Sequence, residues 1–257
     1  MSDERKITLK KDKDSGKAKK QSLTKRTVVS ALIIFILVPL TIYLGWRFAD
    51  KQYYITGLLI ILYSIIPFFI AFERKKPNAR ELVIIAVMCA IAVASRAAFI
   101  WAPQFKPIVG IIIIAGVALG PETGFITGAV SAFVSNFIFG QGPWTPWQMF
   151  AFGIAGFLAG LLYQKGILSR NRLPLSIFGG LVVLLIVGPI LDTQALFSMI
   201  STVTPASAGA TYLSGLPLNA VHAAAVFLTL LLLSKPMFDK LDRVKLKYGL
   251  AEGENAV

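Results

Sequence analysis

The sequence predicts an all-α polytopic membrane protein, and three observations carry that expectation. Of 257 residues 56% are hydrophobic and 15% charged, with a mean hydropathy of +0.70, outside the usual range of soluble domains. The apolar residues fall in long runs separated by short polar breaks, as spanning helices require. Basic residues are segregated: ten Lys or Arg precede Thr27, and five more lie within 235–247. Such tails read as cytoplasmic retention signals that touch anionic head groups, so no nucleic-acid partner is expected. Residues 1–26 hold no apolar core, so no cleaved signal peptide is expected and both tails stay on the protein.

Eight apolar runs follow in order, 28–46, 53–72, 82–101, 108–120, 124–139, 147–163, 175–191 and 211–234. The fourth is short and ends at Gly120-Pro121, where a helix break is expected. With both termini inside, the inner face holds ten basic residues in the N-terminal tail, four in 74–80, three in 165–172 and five in the C-terminal tail. The outer face holds only Arg47, Lys51 and Lys106, and Arg96 stays within a helix. This asymmetry favours an even number of spans with cytoplasmic termini.

The predicted organisation is a basic tail (1–27), a transmembrane hairpin (28–72), a charged linker (73–81), a six-helix unit (82–234) and a second cytoplasmic tail (235–257). Composition changes after the linker. Ala86, Ala90, Ala94 and Ala98 recur every four residues, as do Gly116, Gly120, Gly124 and Gly128, and Gly156 pairs with Gly160. That spacing puts small side chains on one helix face, where another backbone can approach. The alanines fit either internal packing or an external face for a partner helix.

Polar groups inside the apolar runs are few, and so each is a candidate. Arg96 lies about five residues from the outer end of its helix, where it must snorkel or pair with an anion or buried amide. Lys106 falls at the same face, and Asp192 is a candidate counter-ion. The stretch 136–148 places Asn136, Gln141 and Gln148 beside Trp144 and Trp147, with Pro143, Pro146, Gly140 and Gly142 shaping an expected loop. An interfacial aromatic belt accounts for the tryptophans but not for the amides. Indole faces with convergent amides suit a flat polar ligand. Asn219 and His222, three apart on one helix face and about 12 to 16 Å from its outer end by helical rise, read as an interhelical hydrogen bond or a pocket floor.

Several chemistries are set aside. Ser15-Gly16-Lys17 lacks the upstream glycine of a phosphate-binding loop, and no aspartate pair is present to hold magnesium and a diphosphate. Cys89 is the only cysteine and His222 the only histidine, so neither a disulfide nor a Cys/His metal site is expected. Ser207 and His222 form the only tempting catalytic pair, and Ala206-Ser207-Ala208-Gly209 reads as a loop without a nucleophile turn. No catalytic residue and no cofactor are expected.

Arg96, Gln104-Phe105-Lys106-Pro107, Gly120-Pro121-Glu122-Thr123-Gly124, Ser135-Asn136-Phe137, the run from Gly140 to Gln148, and Gly153 with Gly156 together resemble the substrate-binding S component of energy-coupling factor (ECF) vitamin transporters. The resemblance covers 82–234. It implies six helices, a ligand pocket near the outer face closed by the loop after the first helix, and docking on a transmembrane coupling protein with two cytoplasmic ATPases. It further implies substrate contacts by Arg96, Lys106, Asn136, Gln141, Trp144, Trp147 and Gln148, to which the spacing argument adds Asn219 and His222. Ala86, Ala90 and Ala94 match the Ala-x-x-x-Ala docking face of such proteins. The arrangement is closest to members assigned to cobalamin, and other B vitamins stay open. The hairpin departs from the minimal family pattern. Two other functions compete: a proton-coupled carrier using His222, Arg96 and Asp192, and a membrane enzyme using the Ser207 and His222 pair.

Overall fold

The computed structural model describes residues 79–200 and 203–248, together with positions 28, 32–37, 39–41, 43, 44 and 59. Among the described residues every regular element is helical. The hairpin expected over 28–72, and with it the count of eight spans, lies mostly outside them. Its described part includes a π-helical turn, Ile33–Leu37, and the Phe35 ring stands 6.4 Å from Phe157.

Beyond it come six helices: α1 (Ala79–Ala98), α2 (Ile108–Leu119), α3 (Pro121–Phe139), α4 (Thr145–Gln164), α5 (Arg172–Met199) and α6 (Pro205–Lys247). Each of the six apolar runs after 82 therefore finds a helix. Four, namely α1, α4, α5 and α6, are long and apolar enough to cross a membrane, and α2 is a shorter apolar helix. Proline opens α3, α4 and α6, where its missing N–H costs nothing and its fixed φ suits the first turn.

α2 sits at the centre. Its twelve residues carry no polar side chain, and all from Ile108 to Ala118 are buried, as a helix apolar on every side demands. α3 and α4 close around it through glycine. A Cβ on Gly116 would collide with the Gly156 carbonyl, one on Gly124 would come within 2.6 Å of the Gly116 Cα, and one on Gly160 within 2.6 Å of the Pro121 nitrogen. Three backbones thus meet without side chains between them, which is the tight packing that the four-residue glycine spacing predicts. Gly120, with φ at 102°, makes the break between α2 and α3 in a region that side-chain-bearing residues rarely enter.

α1 leans on this core through Ile84, Met88, Ala92 and Arg96, and its buried Cys89 donates weakly to the Thr127 carbonyl at 3.7 Å. Ala86, Ala90, Ala94 and Ala98 face outward, so the internal-packing alternative for the alanine ladder is overturned. Beside them, α1 and the C-terminal half of α6 leave an apolar groove of about 960 Å³.

α5 runs past the end expected at 191 and contains a π turn, Val183–Val187, followed by Gly188. α6 also exceeds its expected limits at both ends. Thr204 caps it, its hydroxyl accepting from the Ser207 N–H at 3.1 Å while the Ser207 hydroxyl accepts from the Thr204 N–H. Residues 206–209 are accordingly helix, not the expected loop. At the other end the helix continues beyond Ser234 through Lys247. Buried Phe238, a Lys245 ammonium donating to the Ala118 carbonyl, and an Arg170–Asp242 ion pair at 2.9 Å hold it to the bundle. Hydropathy falls at 235, but the packing does not stop there.

Arg80 Nη1 donates to the Tyr248 carbonyl at 3.1 Å. The start of α1, the end of α2 and the end of α6 therefore share one end of the bundle, and Arg96 lies toward the other.

Candidate functional site

Two adjacent polar residues near the end of α3 begin the site. Ser135 and Asn136 are buried to 0% and 1% exposure, a burial such groups tolerate only with partners. Arg96 supplies one, its Nη1 donating to Ser135 Oγ at 2.5 Å and to Asn136 Oδ1 at 2.9 Å. The guanidinium also lies 4.3 Å from the centroid of the Phe139 ring. At 3% exposure Arg96 does not snorkel, and that alternative is overturned. Asp192 is not its counter-ion either, since that carboxylate accepts from Asn219 Nδ2 at 2.8 Å.

The other half of Asn136 reaches α4. Its Nδ2 donates to Thr145 Oγ1 at 3.0 Å and to Gln148 Oε1 at 2.9 Å, and the Thr145 hydroxyl donates to Gln141 Oε1 at 2.9 Å. One amide thereby ties α1, α3, the connecting loop and α4 into a single network.

Lys106, in the connection between α1 and α2, donates to Gln104 Oε1 at 3.2 Å, and Gln104 itself takes the left-handed backbone conformation, φ 59°. Burial, and after it the positive charge of Arg96, pull the Lys106 ammonium down to about 8. His222 of α6 is 4% exposed, sets its ring against Phe152 at 6.2 Å, and lies within electrostatic reach of both Lys106 and Arg96. The structure therefore brings Arg96, Lys106, Asn136, Gln141, Gln148 and His222 to one region.

Other expected site residues go elsewhere. The loop expected over 136–148 is short, because α3 carries Asn136 and continues to Phe139, and Thr145 begins α4, leaving only 140–144 between them. Gln141 is exposed and also donates to the Phe133 carbonyl, which fixes the loop. Trp144 covers Gly142 and donates to the Gly140 carbonyl at 3.3 Å. Trp147 is 3% exposed and meets Phe197 edge-on at 6.0 Å inside an apolar cluster with Phe125, Phe150 and Phe157, so its indole offers no open face. Asn219 is taken by Asp192. Ser207 and His222 lie on one helix fifteen residues apart, about 22 Å by helical rise, which removes them as a catalytic pair.

Sequence reasoning missed Ser135 and Thr145 as members of the network. A serine beside an asparagine in an apolar helix was the available signal for the first; nothing in the local pattern marks the second. Among the described residues no group of three His, Cys, Asp or Glu could hold a metal ion.

Comparison with known proteins gives a consistent result. Residues 76–238 match the family model described as ECF-type riboflavin transporter, S component. A UPF0397 protein of Vibrio atlanticus (strain LGP32) is 29% identical over 118 residues, which are 43% of this chain and 64% of that relative. The chain thus spans less than two thirds of the length of the curated relative it matches. No solved structure matches it.

Proposed function

The chain belongs to the ECF-type riboflavin transporter S-component family, a family of transporter subunits and not of enzymes, and from that premise we propose that it captures a vitamin-like solute for an ATP-driven importer. The observation that carries the reading is the buried network of Arg96, Asn136 and Gln148 with Lys106 and His222 beside it. A bilayer protein keeps so many polar groups in one place only where they line a cavity or recognise something. Arg96, Lys106, Asn136, Gln148 and His222 are the proposed solute contacts. Gln141 and Trp144 shape the loop over them, and Trp147 and Asn219 hold α4 and α6 in place.

The proposed topology has eight spans with both termini cytoplasmic, which puts this network toward the outer face. The uneven distribution of Lys and Arg supports it. The proposed partners are a transmembrane coupling protein and two cytoplasmic ATPases, and the outward row of Ala86, Ala90 and Ala94 is the surface offered to the coupling protein. Small residues let a partner backbone come close without a hydrophobic drive between helices.

Riboflavin, named in the family's description, is the first solute to test, and cobalamin, suggested by the sequence resemblance, is the second. The test measures binding of each to the purified protein and uptake in cells, with and without Ala90→Trp. Binding retained with uptake lost supports capture followed by docking. Uptake by the protein alone, in cells lacking the coupling and ATPase subunits, would sink the proposal.

A further inference from the structure

We propose that the captured solute bears an anionic group, a phosphate or phosphodiester, which Arg96 and Lys106 neutralise beside His222. The inference rests on the capture function proposed above and concerns what the site selects.

Charge is the first argument. Two cations stand close enough for one to weaken the other's hold on its proton, and every described partner they have is neutral. Arg96 meets Ser135, Asn136 and the Phe139 ring; Lys106 meets Gln104. Among the described residues the carboxylates lie elsewhere. Asp192 is bonded to Asn219, Asp242 to Arg170, and Glu81 and Glu122 start α1 and α3 at the opposite end. Like charges, one buried and one half-buried, are costly where the described residues offer no counter-charge, and an incoming anion removes that cost.

Unpartnered polar atoms are the second argument. Arg96 Nε and His222 Nε2 are buried and without a hydrogen-bond partner, although both residues are under 5% exposed. Native proteins seldom leave such atoms unmet unless something else meets them. A tetrahedral oxyanion accepts several hydrogen bonds at once, and a guanidinium is the side chain best shaped to supply them.

The experiment uses two pairs of probes that share a ring system and differ only in a phosphate: riboflavin 5′-phosphate with riboflavin, and cobinamide phosphate with cobinamide. Binding to the full chain is measured in neutral detergent, with and without phosphatidylglycerol as a lipid competitor. In whichever pair binds, the phosphate-bearing member is expected to bind about tenfold more tightly, the scale of one charge-assisted contact. Lys106→Gln should remove most of that preference and Lys106→Arg should keep it, with melting temperature confirming that both variants fold. A phosphate-free member that binds as tightly as its partner overturns the anion while leaving capture intact. Phosphatidylglycerol that abolishes the preference assigns the site to a lipid head group and overturns the solute assignment. If neither pair binds, this inference and the proposed solute classes fall together.

Discussion

The two ends of the bundle hold positive charge in opposite ways. At the end where α6 finishes, Arg170 pairs with Asp242, Lys245 donates to the Ala118 carbonyl and Arg80 to the Tyr248 carbonyl. These cations lie near the surface and meet a carboxylate or free backbone oxygens. At the other end Arg96 and Lys106 are drawn inward among amides, hydroxyls and a phenyl ring. An end that anchors needs cheap, solvated contacts, whereas an end that recognises keeps costly groups and defers their neutralisation.

The largest expected effect that tests this contrast is Asn136→Leu. It strips Arg96 of an acceptor and separates α3 from Thr145 and Gln148, so the guanidinium is left buried with less to hold it. A loss of about 3 kcal/mol is expected, read as a lower melting temperature in detergent. Adding Arg96→Met should recover most of it; a double variant as unstable as the single one would show that the charge was not the cost.

A smaller effect should appear with pH. The folded Lys106 value of about 8 lies below the roughly 10.4 of a free lysine, so between these values the unfolded chain binds more protons. Stability should therefore rise with pH across that window, while affinity for an anionic solute falls as pH passes about 8. Lys106→Gln should flatten both curves, measured by thermal melts and by binding titrations. The smallest effect belongs to the opposite end. Asp242→Ala breaks a partly exposed pair and should cost less than about 1 kcal/mol without altering solute binding. Loss of binding there would mean that the two ends are not independent.

Hydropathy made the helices legible, since lipid imposes one rule on every span. It located α2 and α3 closely and failed mainly where helices outlast their apolar part, as α6 does beyond Ser234 and α5 beyond 191. Glycine spacing gave the close contact of α2, α3 and α4, because a missing side chain has one geometric use at that period. The site was legible only as an inventory. Arg96 and Asn136 declared themselves by being polar in an apolar run, but their pairing across 40 positions leaves no local trace. Trp147 misled for the same reason: an indole beside a loop can face water, ligand or core, and Phe197 settles which. Asp192 misled through charge, which suggested Arg96, while a neutral amide on α6 was nearer.

The π turn in α5 has a consequence for that aspartate. Such a turn accommodates about one residue more than an α turn, and each residue advances a helix by about 100°. The extra residue sets the angular phase of everything after it. Asp192 faces Asn219 and the vacancy at Gly215, where a Cβ would come within 2.6 Å of its carboxyl carbon, and Gly188 makes matching room for Asn219. Removing one residue from Val183–Val187 would leave the hydropathy of α5 almost unchanged and would swing the carboxylate a quarter turn out of its notch. A single-residue count, invisible in composition, is what keeps an acid off the lipid face.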